Sequence, residues 1–288
     1  MTKASIKTLL TSAASQLNTE EAALEAQLLL QHALNVNRAW LIAHENDALD
    51  VKDGEPNIHA AYRALINRRV NGEPIAYILG VREFYGLSLK VTPATLIPRP
   101  DTETLVDVAL AKIPLRKNLS ICDLGTGSGA IALAIAKHRP QAFIIALDAS
   151  QAALDVAIEN AENLKIANVD FVLSDWFSAL CQKNSPQTFD VIVSNPPYIE
   201  ASDPHLNQGD LRFEPISALT SGQDGLDDIR HIISQAPQHL NPHGWLLLEH
   251  GYNQAQSVVK LMENAEFAKI ETIKDLGGNA RVTLGRFP

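Results

Sequence analysis

Residues 190–200, Asp-Val-Ile-Val-Ser-Asn-Pro-Pro-Tyr-Ile-Glu, end an apolar run with an amide side chain, two prolines and a tyrosine. Pro196 has no N–H and forces Asn195 out of the helical region, and Pro197 does the same to Pro196, so the backbone is locked extended past the end of a strand. Such a segment presents the Asn195 side-chain oxygen and a neighbouring backbone carbonyl, that of Pro196, as two rigid acceptors converging on one planar NH2 group. Tyr198 is placed to stack its ring over that plane. An amide or exocyclic amine nitrogen is a poor nucleophile because its lone pair is delocalised into the adjacent π system. Acceptors that hold both protons orient the nitrogen, help to raise its electron density and direct it toward an electrophilic carbon. In isolation the four residues read equally well as a stiff turn with a packed tyrosine; their place at the end of the fourth strand of a sheet that also carries a glycine loop favours the chemistry.

That loop is residues 123–130, Asp-Leu-Gly-Thr-Gly-Ser-Gly-Ala, which leads from a strand straight into a helix. Gly125, Gly127 and Gly129 let the backbone turn sharply and approach a ligand closely, at the switch point where such sheets bind nucleotides. Asp148 follows Gly129 by 19 residues at the tip of the second strand, where its carboxylate is placed to accept hydrogen bonds from a ribose diol. The spacing also satisfies the dinucleotide pattern G-x-G-x-x-A, so the loop alone says only that the cofactor contains adenosine. The segment after strand four separates the candidates. Beside an adenosine site the natural electrophile for a held NH2 group is the sulfonium methyl of S-adenosylmethionine. A thioether leaves as a neutral group and needs no proton, so no His, Cys or metal is required. In-line positioning then supplies up to roughly 7–11 kcal/mol in well-oriented systems, a dry pocket disperses the sulfonium charge, and the nitrogen proton leaves late, to water.

The elements that must hold these residues alternate strand and helix with little spacer after Asp101, the signature of βαβ units and a mostly parallel sheet. Strands are expected at 119–124, 142–148, 169–174, 189–194, 244–250, 267–273 and 281–286. The last two are separated only by a turn at Gly277-Gly278-Asn279, so they pair antiparallel, and a doubly wound sheet with one reversed strand results. Amphipathic helices lie between, one with Leu226, Ile229, Ile233, Ala236 and Leu240 on a face, another with Ala255, Val258, Val259 and Met262. Residues 1–74 read as a small helical bundle. Asn18-Thr-Glu-Glu21 has the form of a capping box ahead of the apolar-rich stretch Ala22–Leu34, and helices are expected at 40–43 and 60–70. Residues 75–100 read as a connector, with a β-hairpin over 75–91 and a proline-rich extended junction at Pro93, Pro98 and Pro100.

The chain has 288 residues, 46% of them hydrophobic and 20% charged, a composition that indicates neither disorder nor a fibrous fold. Net charge is 24 minus 33, or −9, and the first 75 residues carry seven basic against nine acidic side chains. An extended nucleic-acid clamp is therefore disfavoured, and the helical domain suits docking to a protein. Apolar runs such as 131–136 and 245–248 are far too short to span a membrane, and the first five residues are not followed by a signal-peptide core, so a cytoplasmic protein is expected. Two cysteines, Cys122 in a buried strand and Cys181 in a loop or short helix, are too few for a disulfide framework. No heptads or large exposed apolar helix are evident, and a monomer is expected.

At these motifs the chain resembles S-adenosylmethionine-dependent amino methyltransferases with a Rossmann-like seven-stranded sheet, and more closely the bacterial release factor glutamine methyltransferases, the HemK/PrmC family. The resemblance spans nearly the whole chain: LIPRPDTE at 96–103, DLGTGSGAIA at 123–132, SNPPYI at 194–199, FEPISAL at 213–219 and GNARVTLGR at 278–286. It implies that Gly125, Thr126, Gly127, Ser128, Gly129, Asp148, Trp176 and Asn195 contact S-adenosyl-L-methionine, which leaves as S-adenosyl-L-homocysteine. It implies that Asn195, Pro196, Pro197 and Tyr198 hold the substrate amide, with Asn195, Pro196 and Tyr198 as the catalytic set. The implied substrate is the glutamine of the Gly-Gly-Gln motif in class I peptide chain release factors, methylated on its side-chain nitrogen.

Other readings compete with this one. An adenine-N6 or cytosine-N4 nucleic-acid methyltransferase faces the same amine, but no basic, aromatic-rich segment that could read a flipped base is present. A non-catalytic docking module is disfavoured by the intact Asn195 and glycine loop, and a nicotinamide dehydrogenase by the lack of a proton donor beside that loop. Trp176 is assigned to cover the adenine, with packing beneath a loop as the alternative. Arg99, Asp101 and Glu103 either line the site entrance or begin a helix rich in acids. Glu214 and Glu249-His250 are expected to be solvated or capping. His239 and His243 have the spacing of helical metal ligands, but Asn241-Pro242 interrupts the helix, no third ligand is evident and no metal is expected.

Overall fold

The computed structural model describes residues 5–49, 57–115, 117–180 and 187–288, so Cys181 lies outside the described residues. Two compact units divide the chain, Met1–Gly80 and Val81–Pro288. The first is helical: α1 Ile6–Ala14, α2 Ala22–Leu34, α3 Arg38–Ala43, α4 Ile58–Val70 and α5 Ile75–Leu79. Short polar side chains start three of them. Ser5 Oγ accepts from Thr8 N at 3.3 Å, Asn37 Oδ1 from Trp40 N at 2.9 Å and Asn57 Oδ1 from Ala60 N at 3.1 Å, each satisfying a backbone donor the helix leaves free.

The expected capping box at 18–21 is not formed. Glu21 is the residue before α2 and makes no capping bond, while the Thr19 hydroxyl donates to Glu25 Oε2 at 3.0 Å. Glu25 is buried and takes a two-pronged ion pair from Arg69, Nε at 2.9 Å and an NH2 nitrogen at 3.0 Å. This charge pair competes successfully with the cap because it ties α2 to α4 in the interior. Ile6, Leu29, Leu30, Leu41, Tyr62, Ile66 and Ile78 form the core of the unit.

The hairpin expected over 75–91 is shorter at its start. Pro74 and the left-handed Gly80 (φ 72°) bound α5, and Ile75, Ile78 and Leu79 pack into the helical core. Strands β1 Val81–Phe84 and β2 Leu87–Lys90 then pair antiparallel around Tyr85 and Gly86, both with positive φ. Two such residues give a turn whose twist matches the strands. Phe84, Leu87 and Leu89 are buried with the core of the second unit, so the hairpin is part of that unit's packing rather than a free connector.

The rest of the second unit runs α6 Glu103–Lys112, β3 Ser120–Leu124, α7 Ala130–His138, β4 Phe143–Asp148, α8 Gln151–Leu164, β5 Val169–Leu173, β6 Phe189–Ser194, α9 Asp227–Gln235, β7 Leu240–Glu249, α10 Ala255–Asn264, β8 Ala268–Lys274 and β9 Ala280–Arg286. Seven strands form one sheet in the order β5-β4-β3-β6-β7-β9-β8. Strands β3 to β7 are parallel, and β9 lies antiparallel between β7 and β8. The expected helix face ending at Leu240 is cut short. Pro237 follows α9, a 3-10 turn covers Ala236–His239, and Leu240 is already paired with Phe189 in β7, because proline cannot sustain the helical ladder.

Apolar layers cover both faces of the sheet. Leu105, Val106, Leu133 and Ile135 belong to one, Ile229, Ile232, Val258 and Met262 to the other. Because the central strands are parallel, their C-terminal ends share one edge, with Leu124 in register with Leu147 and Ser194, Asp148 with Leu173, and Ser194 with Leu248. The strand order reverses between β4-β3 and β3-β6, which opens a crevice at that edge.

Candidate functional site

The loop after β3 is folded by its own backbone. Gly125 N and Thr126 N both donate to Leu147 O at 2.9 Å, and Gly127 N donates to Asp148 Oδ2 at 2.8 Å. Asp148 Oδ1 accepts from Ser150 N at 2.9 Å. Both oxygens of this carboxylate are thereby aimed while each keeps a lone pair for a ligand. Burial raises the Asp148 pKa, and the backbone donors of Ser150, Gly127 and Ala149 draw it back. Beneath the loop Asp123 is wholly buried and accepts from Thr126 Oγ1 at 2.7 Å and Ala132 N at 3.2 Å; burial pushes its carboxyl up to about 7.

A cavity of about 580 Å³ opens over this edge, with Gly125, Gly127, Asp148, Trp176, Asn195 and Pro197 in its wall. Gly127 has φ +56° and open space where a side chain would stand, so bare backbone faces the cavity there. The Trp176 ring lies 3.6 Å from the position of a Cβ on Gly125, and its Nε1 donates to Asp228 Oδ1 at 3.2 Å. Trp176 thus walls the cavity with its indole edge fixed. Thr126, Ser128 and Gly129, assigned to the same loop, do not line the cavity. Thr126 is turned to Asp123, Ser128 is buried with its carbonyl accepting from Asn160 Nδ2 at 2.9 Å, and Gly129 packs against Leu133 and Ala157. They shape the loop from behind.

Past β6 the proline segment is held from several sides. Ser194 Oγ donates to Leu124 O at 2.7 Å. Ile199 N donates to Leu219 O and Ser221 N to Ile199 O, both at 2.9 Å, and Gln254 Nε2 donates to Tyr198 O at 3.0 Å. Gly225 comes so close that a Cβ would stand 2.2 Å from Tyr198 O. Asn195 Nδ2 donates to Thr102 Oγ1 at 3.2 Å, which engages the NH2 end of its amide and leaves Oδ1 as the free end. A second, smaller cavity of about 70 Å³ is lined by Arg99, Asn195, Pro196 and Tyr198, and Asn195, Leu96 and Ala218 line both cavities. Of the proline segment, Pro197 faces the larger cavity and Pro196 and Tyr198 the smaller one.

The Tyr198 hydroxyl donates to Glu249 Oε1 at 3.3 Å, and burial raises the tyrosine pKa. Glu249, expected to be solvated or capping, is buried at the end of β7, and burial pushes its carboxyl up to about 7 against the opposing pull of Thr102, Arg281 and Tyr198. Glu214, expected to be solvated or capping, is also buried; it accepts from Ile97 N at 3.0 Å and pairs with Arg99, a residue that lines the smaller cavity. Asp101 pairs with Arg281 at 3.1 Å, and Glu103 accepts from Tyr85 N at 2.8 Å, so both brace the fold. His250 bonds Gly251 O and Thr283 Oγ1, and His239 stacks on Phe177. The sequence signals for Thr102 and the two glutamates are weak, because a carboxylate near a loop looks the same whether it faces water or a neighbour 100 residues away.

Comparison with known proteins bears on the whole chain. Residues 115–281 match the family model of a methyltransferase domain and residues 8–80 that of a PrmC N-terminal domain. A release factor glutamine methyltransferase of Salmonella typhimurium is 50% identical over 264 residues, covering 91% of each chain. One from Escherichia coli is 47% identical over 279 residues, 96% of this chain and 97% of the relative. Among solved structures, a methyltransferase from Pyrococcus furiosus superposes with a TM-score of 0.53 at 19% identity over 77% of this chain and 96% of its own, a likeness of fold.

Proposed function

This chain belongs to the release factor glutamine methyltransferase family, and we propose that it methylates the side-chain amide nitrogen (N5) of the glutamine in the Gly-Gly-Gln motif of class I peptide chain release factors. The observation that carries this reading is the position of Asn195, one residue in the wall of both cavities, with its NH2 end engaged and its oxygen free. A cofactor in the larger space and an amide in the smaller one would meet there.

The residues of the larger cavity fit S-adenosylmethionine. Bare backbone at Gly127 admits close approach, the anchored Asp148 carboxylate suits a ribose diol, and the fixed Trp176 ring gives a flat apolar wall for the adenine. When bound, the cofactor supplies a sulfonium methyl as electrophile and leaves as a neutral thioether. The chain's own part is positioning. Asn195 Oδ1 and the Pro196 carbonyl accept the two amide protons of the substrate, which fixes the nitrogen and turns its lone pair toward the larger cavity. Tyr198 confines the amide plane from the side, with its hydroxyl tied to Glu249. Pro196 and Pro197 keep these acceptors from relaxing, so little reorganisation is needed when the substrate arrives.

The test is transfer of labelled methyl from S-adenosylmethionine to a purified class I release factor, beside a release factor whose motif glutamine is replaced by alanine and beside duplex DNA. Label on the unmodified factor alone is expected. Label on DNA would overturn the assignment of the substrate in favour of a nucleobase amine.

A further inference from the structure

The geometry points to Thr102 and Glu249 as a positioning pair that decides which end of the Asn195 amide meets the substrate, an inference that rests on the function proposed above. An amide side chain is nearly symmetric in shape, yet only its oxygen can accept a proton. Rotated by half a turn, Asn195 would present NH2 to an NH2 substrate, and the clamp would repel what it should hold. Nothing in the Asn195-Pro196-Pro197-Tyr198 segment itself prevents that rotation. The observed restraint comes from Thr102, at the start of α6, whose hydroxyl accepts from Asn195 Nδ2 at 3.2 Å.

A hydroxyl can also donate, so Thr102 alone would not settle the direction. Glu249 does. Its carboxylate is 1% exposed and Thr102 is 4% exposed, so neither exchanges partners freely with water. Glu249 Oε1 takes the Tyr198 hydroxyl at 3.3 Å. Oε2 is buried without a hydrogen-bond partner, and the Thr102 hydroxyl stands near enough to this carboxyl to pull its pKa down against the effect of burial. Arg281, the nearby cation, is committed at 3.1 Å to both Asp101 and Asp275. A Thr102 hydroxyl turned toward the ionised Glu249 keeps its lone pairs for Asn195 and leaves the Asn195 oxygen facing the cavities. One carboxylate at the end of β7 thereby orders both ends of the motif, Asn195 through Thr102 and Tyr198 directly. A buried carboxylate with an incompletely satisfied oxygen costs stability, and this task accounts for its presence.

The experiment compares Thr102→Val, Thr102→Ser and Glu249→Gln with the wild type in kcat and KM for the release factor, donor affinity by calorimetry, and thermal unfolding. Loss of one directing hydrogen bond is expected to lower kcat about tenfold in Thr102→Val, with donor Kd within about twofold of wild type, while Thr102→Ser retains kcat within about threefold. Wild-type kcat in Thr102→Val, or equal losses in Thr102→Val and Thr102→Ser, would overturn the inference, the latter by showing that shape rather than the hydroxyl matters. Should Thr102→Val not fold, Glu249→Leu, which removes both acceptor oxygens where Glu249→Gln keeps one, is read in its place, and an unchanged kcat there is equally fatal. A wild-type enzyme that leaves the release factor unlabelled defeats the proposed function itself, which separates the two failures.

Discussion

At the scale of residues, the site is made of few groups whose directions are set by neighbours. Asp148 is aimed by two backbone donors, Asn195 by a hydroxyl and Trp176 by a carboxylate. Glu249 is the costly member. In the unfolded chain its carboxyl titrates near the ordinary 4.5, whereas burial pushes it up to about 7 in the fold. Between those values the folded protein keeps a proton that the unfolded chain has released, so this group's contribution to stability falls as pH rises through the window and the penalty is complete above it. Asp123 behaves alike but is common to both proteins in the comparison. Glu249→Gln is therefore expected to gain in melting temperature relative to wild type between about pH 5 and about pH 8. Thermal unfolding at the two pH values checks this, and a difference that stays constant or shrinks would contradict it.

At the scale of elements, the parallel strands matter most, because they bring the ends of β3, β4, β6 and β7 to one edge. Gly129 shows how tightly the first loop is fitted there. Its φ is +82°, and a Cβ would stand 3.0 Å from Leu133 and 3.2 Å from Ala157, where α7 meets α8. Gly129→Ala is expected to cost about 1–2 kcal/mol for the left-handed backbone alone, more if the helices must part, and denaturant unfolding measures it. A loss of less than a few tenths would show that the helices yield freely. Strand positions, the reversed strand and the glycine loop were legible in the sequence because they depend on local pattern: apolar runs, a two-glycine turn and a strand running into a helix. The start of the hairpin was misjudged because Ile75-Ala-Tyr-Ile-Leu79 has no period that separates five residues of strand from five of helix; Pro74 and Gly80 decide it. Thr102, Glu214 and Glu249 were not legible because their partners, Asn195, Arg99 and Tyr198, are brought to them only by the folded sheet.

At the scale of the whole molecule, each unit carries its own buried core, and the residues that line the two cavities belong to the second. The helical unit has a slight excess of acid, seven basic against nine acidic side chains in the first 75 residues, and the described residues that line the two cavities all lie outside it. Among the described residues no helix is long and apolar enough to cross a membrane. The proposed transfer depends on Asn195 joining a donor cavity to an amide cavity. Single-turnover methyl transfer to an intact class I release factor, with donor saturating and Asn195→Ala compared with wild type, tests it most directly. The rate is expected to be at least about a hundredfold lower for the variant, as for removal of a positioned donor or acceptor at a reacting centre, with donor affinity changed far less. Transfer at the wild-type rate by Asn195→Ala would contradict it.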